Sequence, residues 1–119
     1  MSARLYAMTC GWLTMPMPML LHGTKGTLKI PIQAYFIRHA RGTAVFDSGM
    51  SLGPMEPYFD VHFAPNEEIS ARLGEADMDA GKVDYLITSH LHFDHCGGNA
   101  LIPNARWIIQ KREWEAANT

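Results

Sequence analysis

The chain has only two cysteines, Cys10 and Cys96, set far apart. Two such thiols provide no disulfide framework and fit a reducing compartment. No apolar run approaches the length needed to cross a bilayer. The start, Met1-Ser2-Ala3-Arg4-Leu5-Tyr6, lacks the charged-then-apolar pattern of a secretory signal. A soluble, cytoplasmic protein without a membrane partner is expected. Positive charge is also scarce. With 10 Lys and Arg against 12 Asp and Glu, the net charge of -2 argues against nucleic acid. Repeats, low-complexity tracts, a phosphate-cradling glycine loop and a dividing linker are all missing, so the 119 residues read as one domain.

What the chain does have is a dense cluster. Ser89-His90-Leu91-His92-Phe93-Asp94-His95-Cys96-Gly97-Gly98-Asn99 places three imidazoles and one carboxylate within six consecutive residues. Packing alone does not explain that density. The apolar run Val83-Asp84-Tyr85-Leu86-Ile87-Thr88 leads into it as a half-buried strand, and two glycines follow, so the cluster is expected on a loop between a strand and a helix. In an extended segment side chains two apart point the same way, so His90 and His92 can close on one ion while Leu91 faces the core. Asp94 and His95 lie beyond the turn and cannot face that same ion without strain. They therefore suit a second ion. Imidazole and carboxylate without thiolate fit zinc, then iron, cobalt or manganese, and two metals about 3.5–4 Å apart suit hydrolysis. Cys96 adjoins the cluster but enters the helix, which favours a buried structural thiol over a ligand.

The rest of the chain reads as an α/β fold. Ala3 to Cys10 alternates as a first strand, whereas Trp12 to His22 is apolar but broken by two prolines and is expected to be neither helix interior nor central strand. Its methionines could wall a pocket for an acyl chain or cover a homodimer contact. Pro31 to Arg38 and Thr43 to Phe46 form a hairpin that ends at Asp47-Ser48-Gly49. Ser51 to Pro65 reads as a long loop holding Pro54, Pro57, Tyr58, Phe59 and Phe63, with His62 a packed or surface residue. An Asn66-capped helix carries Ile69 and Leu73 on one face. After the cluster come a short helix at Asn99 to Pro103, a buried strand at Ala105 to Ile109 and a helix from Lys111 to Asn118 with Trp114 on its apolar face.

The string His90-Leu91-His92-Phe93-Asp94-His95 resembles the His-x-His-x-Asp-His signature of the metallo-β-lactamase superfamily. With Pro31 to Ile37, Val45 to Met50 and Gln110 to Ala117, it looks most like the N-acyl-homoserine lactonase branch. The resemblance implies an αββα sandwich, His90 and His92 on a first zinc, and Asp94 and His95 on a second. It places Asp47 behind the metals, accepting a hydrogen bond from a ligand imidazole. A histidine for each metal and a bridging aspartate would come from later strands. Only residues 96 to 119 follow His95, so the chain is expected to be the N-terminal half of the fold, one incomplete domain over 1–119, inactive alone.

The implied reaction is opening of a lactone, chiefly an N-acyl-homoserine lactone acting as a quorum signal. A water bridging two Zn2+ ions would attack, and Asp94 would pass its proton to the leaving alkoxide. Fe, Co or Mn could replace the zinc. Asp94 to Asn99 also resembles pyridoxolactone hydrolases. Ester, thioester, β-lactam and phosphodiester hydrolases share the signature, and a flavodiiron-type oxidoreductase or a non-catalytic homologue are further alternatives.

Overall fold

The computed structural model describes residues 2–51 and 60–119. Pro54, Pro57, Tyr58 and Phe59, read as part of a long loop, lie outside the described residues. The strands are β1 (Arg4–Pro16), β2 (Thr27–His39), β3 (Gly42–Phe46), β4 (Asp60–His62), β5 (Tyr85–Thr88) and β6 (Arg106–Ile109). They form one six-stranded sheet in the order β4-β1-β2-β3-β5-β6. Pairing is antiparallel from β4 through β3 and parallel among β3, β5 and β6. The helices are α1 (Ile69–Glu75), α2 (Phe93–Cys96) and α3 (Lys111–Ala117).

The first strand runs further than expected. Trp12, Leu13 and Thr14 pair with both β2 and β4, which corrects the reading of this stretch as unfit for a central strand. Two features reconcile it with its prolines. Pro16 is the last residue of β1, where a missing N–H costs the ladder little. The register also slips by one residue between Thr9 and Trp12, a bulge at Cys10 and Gly11 with Gly11 at φ +110°. Without it, alternation would turn Leu13 outward. With it, Tyr6, Met8, Cys10, Leu13 and Met15 all face the same side. Pro31 pairs with Trp12 just after this slip, so it too interrupts the ladder where it is already irregular. Asp60–His62, expected within a loop, is an edge strand because it completes the outer side of β1.

On the bulge side, Ile69 and Leu73 of α1 are fully buried against Met8, Cys10, Ala34, Phe36, Val45 and Leu86. Their one-face spacing is as expected, and burying each contributes about 1.5–3 kcal/mol. The cap differs. Asn66 lies in a single 3-10 turn, Pro65–Glu67, so the helix proper starts after Glu68, while Glu67 Oε1 accepts the Ala64 N–H at 2.9 Å. β6, read as a buried strand of the whole fold whose face and edge would be open in this segment alone, is an edge among the described residues, with Arg106, Trp107 and Ile108 exposed. Among the described residues its one neighbouring strand is β5.

Burial pushes the Cys10 thiol up from 9.0 to about 11. An unfolded thiol ionises where the folded one stays neutral, so this contribution to stability is intact below pH 9.0 and falls as pH rises toward 11. The loss approaches about 3 kcal/mol. Denaturant melts between pH 8.5 and 11 should show the decline, and Cys10→Ala should flatten that part of it. An unchanged slope in the variant would contradict the assignment.

Candidate metal centre

The parallel strand β5 ends at Thr88, and Ser89 to His92 continue as irregular backbone into the single turn of α2. This is the strand-to-helix loop expected. The segment after β3 clamps it from below: the Ser48 N–H donates to the His95 carbonyl at 2.9 Å, and the Gly97 N–H to the Gly49 carbonyl at 3.0 Å. The two glycines serve this approach. A Cβ at Gly97 would lie 2.8 Å from the Met50 Cα, and one at Gly98 would strike the Ser48 carbonyl and sit 2.9 Å from Ile69 Cγ2. Any side chain there would lift α2 off the loop beneath it.

Asp47 is the hub of the arrangement. It is 4% exposed, holds a positive φ of 58° that turns its carboxylate under the loop, and does not cap its own turn. Its Oδ1 accepts the Ser89 N–H at 2.8 Å, and its Oδ2 accepts the Ser89 hydroxyl at 2.7 Å and His95 Nδ1–H at 2.8 Å. An ionised carboxylate donates nothing, so the hydroxyl hydrogen of Ser89 is committed to it. Ser89 Oγ then accepts from His90 Nδ1–H at 2.9 Å. A neutral His90 or His95 bonded in this way would carry its lone pair on Nε2.

The four candidate ligands occupy one patch. The His90 ring centroid is 4.6 Å from that of His92 and 4.1 Å from that of His95. His95 Nε2 is 3.6 Å from Asp94 Oδ2. His90 thus stands as near to His95 as to His92, and the two expected half-sites form one continuous cluster of rings. Among the described residues, no group of three or more His, Cys, Asp or Glu is arranged to hold a metal ion as it stands. The donor set itself fits a transition metal: three imidazoles, two of them with Nε2 released by hydrogen bonds behind them, and a carboxylate beside them. Cys96 is half-buried and its thiol is pushed up, chiefly by burial, which suits a structural role.

The remaining histidines lie away from the cluster. His62 Nε2 is 3.1 Å from Thr14 Oγ1 and 3.4 Å from Asp60 at the sheet edge, and His39 Nδ1 accepts the Arg41 N–H at 3.1 Å. His22 is exposed in the β1–β2 connection. Beside the cluster lies a cavity of about 460 Å³ lined by Leu13, Met15, Met19, Leu91, His92, Phe93 and Asp94. Two of the methionines expected to wall a pocket do so. Leu91, expected to face the core, lines this cavity instead, because the backbone leaves strand geometry after Thr88.

Sequence reasoning missed two residues that shape the loop. Ser89 adjoins His90 and could have been noticed as the one hydroxyl beside the cluster. Glu113, whose Oε1 accepts the Leu91 N–H at 2.9 Å, gave no local signal.

The fold is a mixed sheet with helices on one face and a His-x-His-x-Asp-His loop at a strand end. The chain belongs to the metallo-beta-lactamase superfamily, whose family model matches residues 29–119. It is 31% identical over 108 residues to the N-acyl homoserine lactonase AttM of Azorhizobium caulinodans, covering 82% of this chain and 41% of that protein. It is 34% identical over 104 residues to the N-acyl homoserine lactonase of Bacillus cereus, covering 76% and 40%. A solved quorum-quenching N-acyl homoserine lactone lactonase superposes on all of this chain and 50% of its own, with a TM-score of 0.87 at 28% identity. An N-acyl homoserine lactone hydrolase with the product N-hexanoyl-L-homoserine at its catalytic metal center matches equally, at 0.87 and 27%. The chain spans about 40% of the length of the relatives it matches in sequence.

Proposed function

We propose that this chain is the metal-binding half of a lactonase that opens N-acyl-homoserine lactones. The observation that carries the reading is the adjacency of the His90, His92, Asp94 and His95 cluster to an apolar cavity of about 460 Å³. A polar reacting head beside an apolar wall suits a substrate with a lactone ring and an acyl tail. The relatives' names and the product-bound neighbour point the same way.

In this reading His90 and His92 hold one ion and Asp94 and His95 hold another, with zinc the best fit to the donors. The ions would supply a Lewis acid for the lactone carbonyl and an acidified water. The chain's own residues do the rest. Asp47 fixes His95 directly and fixes His90 through Ser89, so both rings engage Nδ1 and leave Nε2 for an ion. Leu13, Met15, Met19, Leu91 and Phe93 exclude water from the acyl chain. Attack on the carbonyl forms the new C–O bond and breaks the ring C–O bond. Asp94 carries the proton released by the water to the departing alkoxide oxygen.

Asp94→Asn is therefore expected to lower kcat more than metal occupancy, since an amide oxygen still coordinates weakly but carries no proton. The loss from a missing proton carrier is on the order of 10²–10⁴-fold. Paired kinetics and elemental analysis check it, and a metal-replete variant turning over at the parent rate would refute the role. The substrate class is tested by a panel of N-acyl-homoserine lactones, pyridoxolactone, simple esters, thioesters and β-lactams on the full-length protein. Fastest kcat/KM on the acyl-homoserine lactones supports the proposal, and preference for another class overturns it.

A further inference from the structure

Between His90 and His92 the backbone is neither strand nor helix, so the Leu91 N–H lacks a partner from regular structure. Glu113, in the first turn of α3, supplies one at 2.9 Å. The same segment grips the loop at its base. Trp114 of α3 packs edge-on against Trp107 of β6, with centroids 5.7 Å apart at 89°, and the Trp107 indole N–H donates to Thr88 Oγ1 at 2.8 Å. Lys111, on the same helix, pairs with Glu115 at 3.6 Å. The loop is thus tied to β6 and α3 at Thr88 and again at Leu91.

We propose that Glu113 is a positioning residue for the metal-binding loop. By accepting the Leu91 N–H, its carboxylate sets the plane of the His90–Leu91 peptide, and with it the direction in which the flanking imidazoles leave the backbone. This inference rests on the reading that those two histidines hold an ion. Asp47 and Ser89 orient rings about their side-chain torsions, whereas Glu113 acts on the backbone that carries them. What matters is reach: an acceptor oxygen held at this distance by α3 leaves the peptide little freedom to rotate. Loss of such a supporting partner weakens metal affinity by about 10–100-fold in comparable sites.

Two substitutions separate reach from charge. Glu113→Gln keeps a carbonyl oxygen at the same reach without the charge, and Glu113→Asp keeps the charge one methylene short. Affinity for Co2+ is read by chelator competition on the full-length protein, together with the visible absorption spectrum of the bound Co2+. The expected result is that Glu113→Gln retains the parent affinity and spectrum, while Glu113→Asp and Glu113→Ala bind about 10–100-fold more weakly with an altered spectrum. Parent-like affinity in Glu113→Asp would overturn the proposal, as would Glu113→Gln binding no better than Glu113→Asp. His92→Ala is measured alongside. If it keeps its metal, the reading of the histidines falls and this inference falls with it; if it loses metal while Glu113→Asp does not, only the inference about Glu113 falls. Should Glu113→Ala fail to fold, the Gln and Asp pair decides the matter.

Discussion

His92→Ala should strip the first ion from the full-length protein and abolish turnover. His92 is exposed where it lines the cavity, and its ring meets that of His90 edge-on. Its removal opens no hole in the core, so the metal-free protein should melt as the parent does. The loss of affinity should exceed the about 10–100-fold that removal of a supporting partner costs, because a donor atom itself is gone. Loss of metal also removes the stabilisation that binding adds to the folded state, so the melting temperature of the loaded protein should fall toward that of the apoprotein. Elemental analysis and paired melts with and without Zn2+ check both parts. Undiminished metal content in the variant would refute the assignment of His92.

The second large effect concerns the 119 residues expressed alone, which should self-associate and show no lactone hydrolysis even with excess zinc. The sheet face opposite α1 is the reason. Phe36, Val45 and Leu86 point toward α1, so by alternation their neighbours Ile37, Phe46 and Tyr85 point away from it, together with Leu5 and Ile108. Leu5 is 66% exposed, Tyr85 41% and Ile108 44%. An apolar face of that kind, continued to a strand that among the described residues pairs with β5 alone, favours association with another copy. β2, which has neighbours on both sides, contributes an apolar face but no open edge. Four donors also leave two ions under-coordinated. Size-exclusion chromatography and a lactonase assay test the expectation. A monomer with a cooperative melt and measurable hydrolysis would mean that His22, His39 or His62 completes a site.

How much of this was legible in the sequence depends on the range of the interactions involved. That His90, His92, Asp94 and His95 gather on one strand-end loop was legible because they fall within six consecutive residues. The strand face assumed for His90 and His92 does not form, since β5 ends at Thr88. The β2–β3 hairpin and the face shared by Ile69 and Leu73 were legible because they too are local. The second half of β1 was not, since Pro16 and Pro18 signal a break and only the bulge at Gly11 shows how Leu13 regains the core side. The exposure of β6 depends on which strands flank it, and Trp107 and Ile108 look the same in a buried strand as in an edge. Asp47 was read as a hydrogen-bond acceptor behind an imidazole, and its carboxylate does accept from His95. The relay through Ser89 to His90 needed the fold. Glu113 lies 22 residues from Leu91, and no local pattern links the two.

Anomalous X-ray diffraction from crystals of the zinc-loaded, full-length protein, collected above and below the zinc edge, tests the central claim most directly. Two peaks are expected, about 3.5–4 Å apart, one bonded to His90 and His92 and the other to Asp94 and His95. His90 and His95 should both bind through Nε2. No zinc at these four side chains, or zinc held by other residues of the chain, would contradict the account.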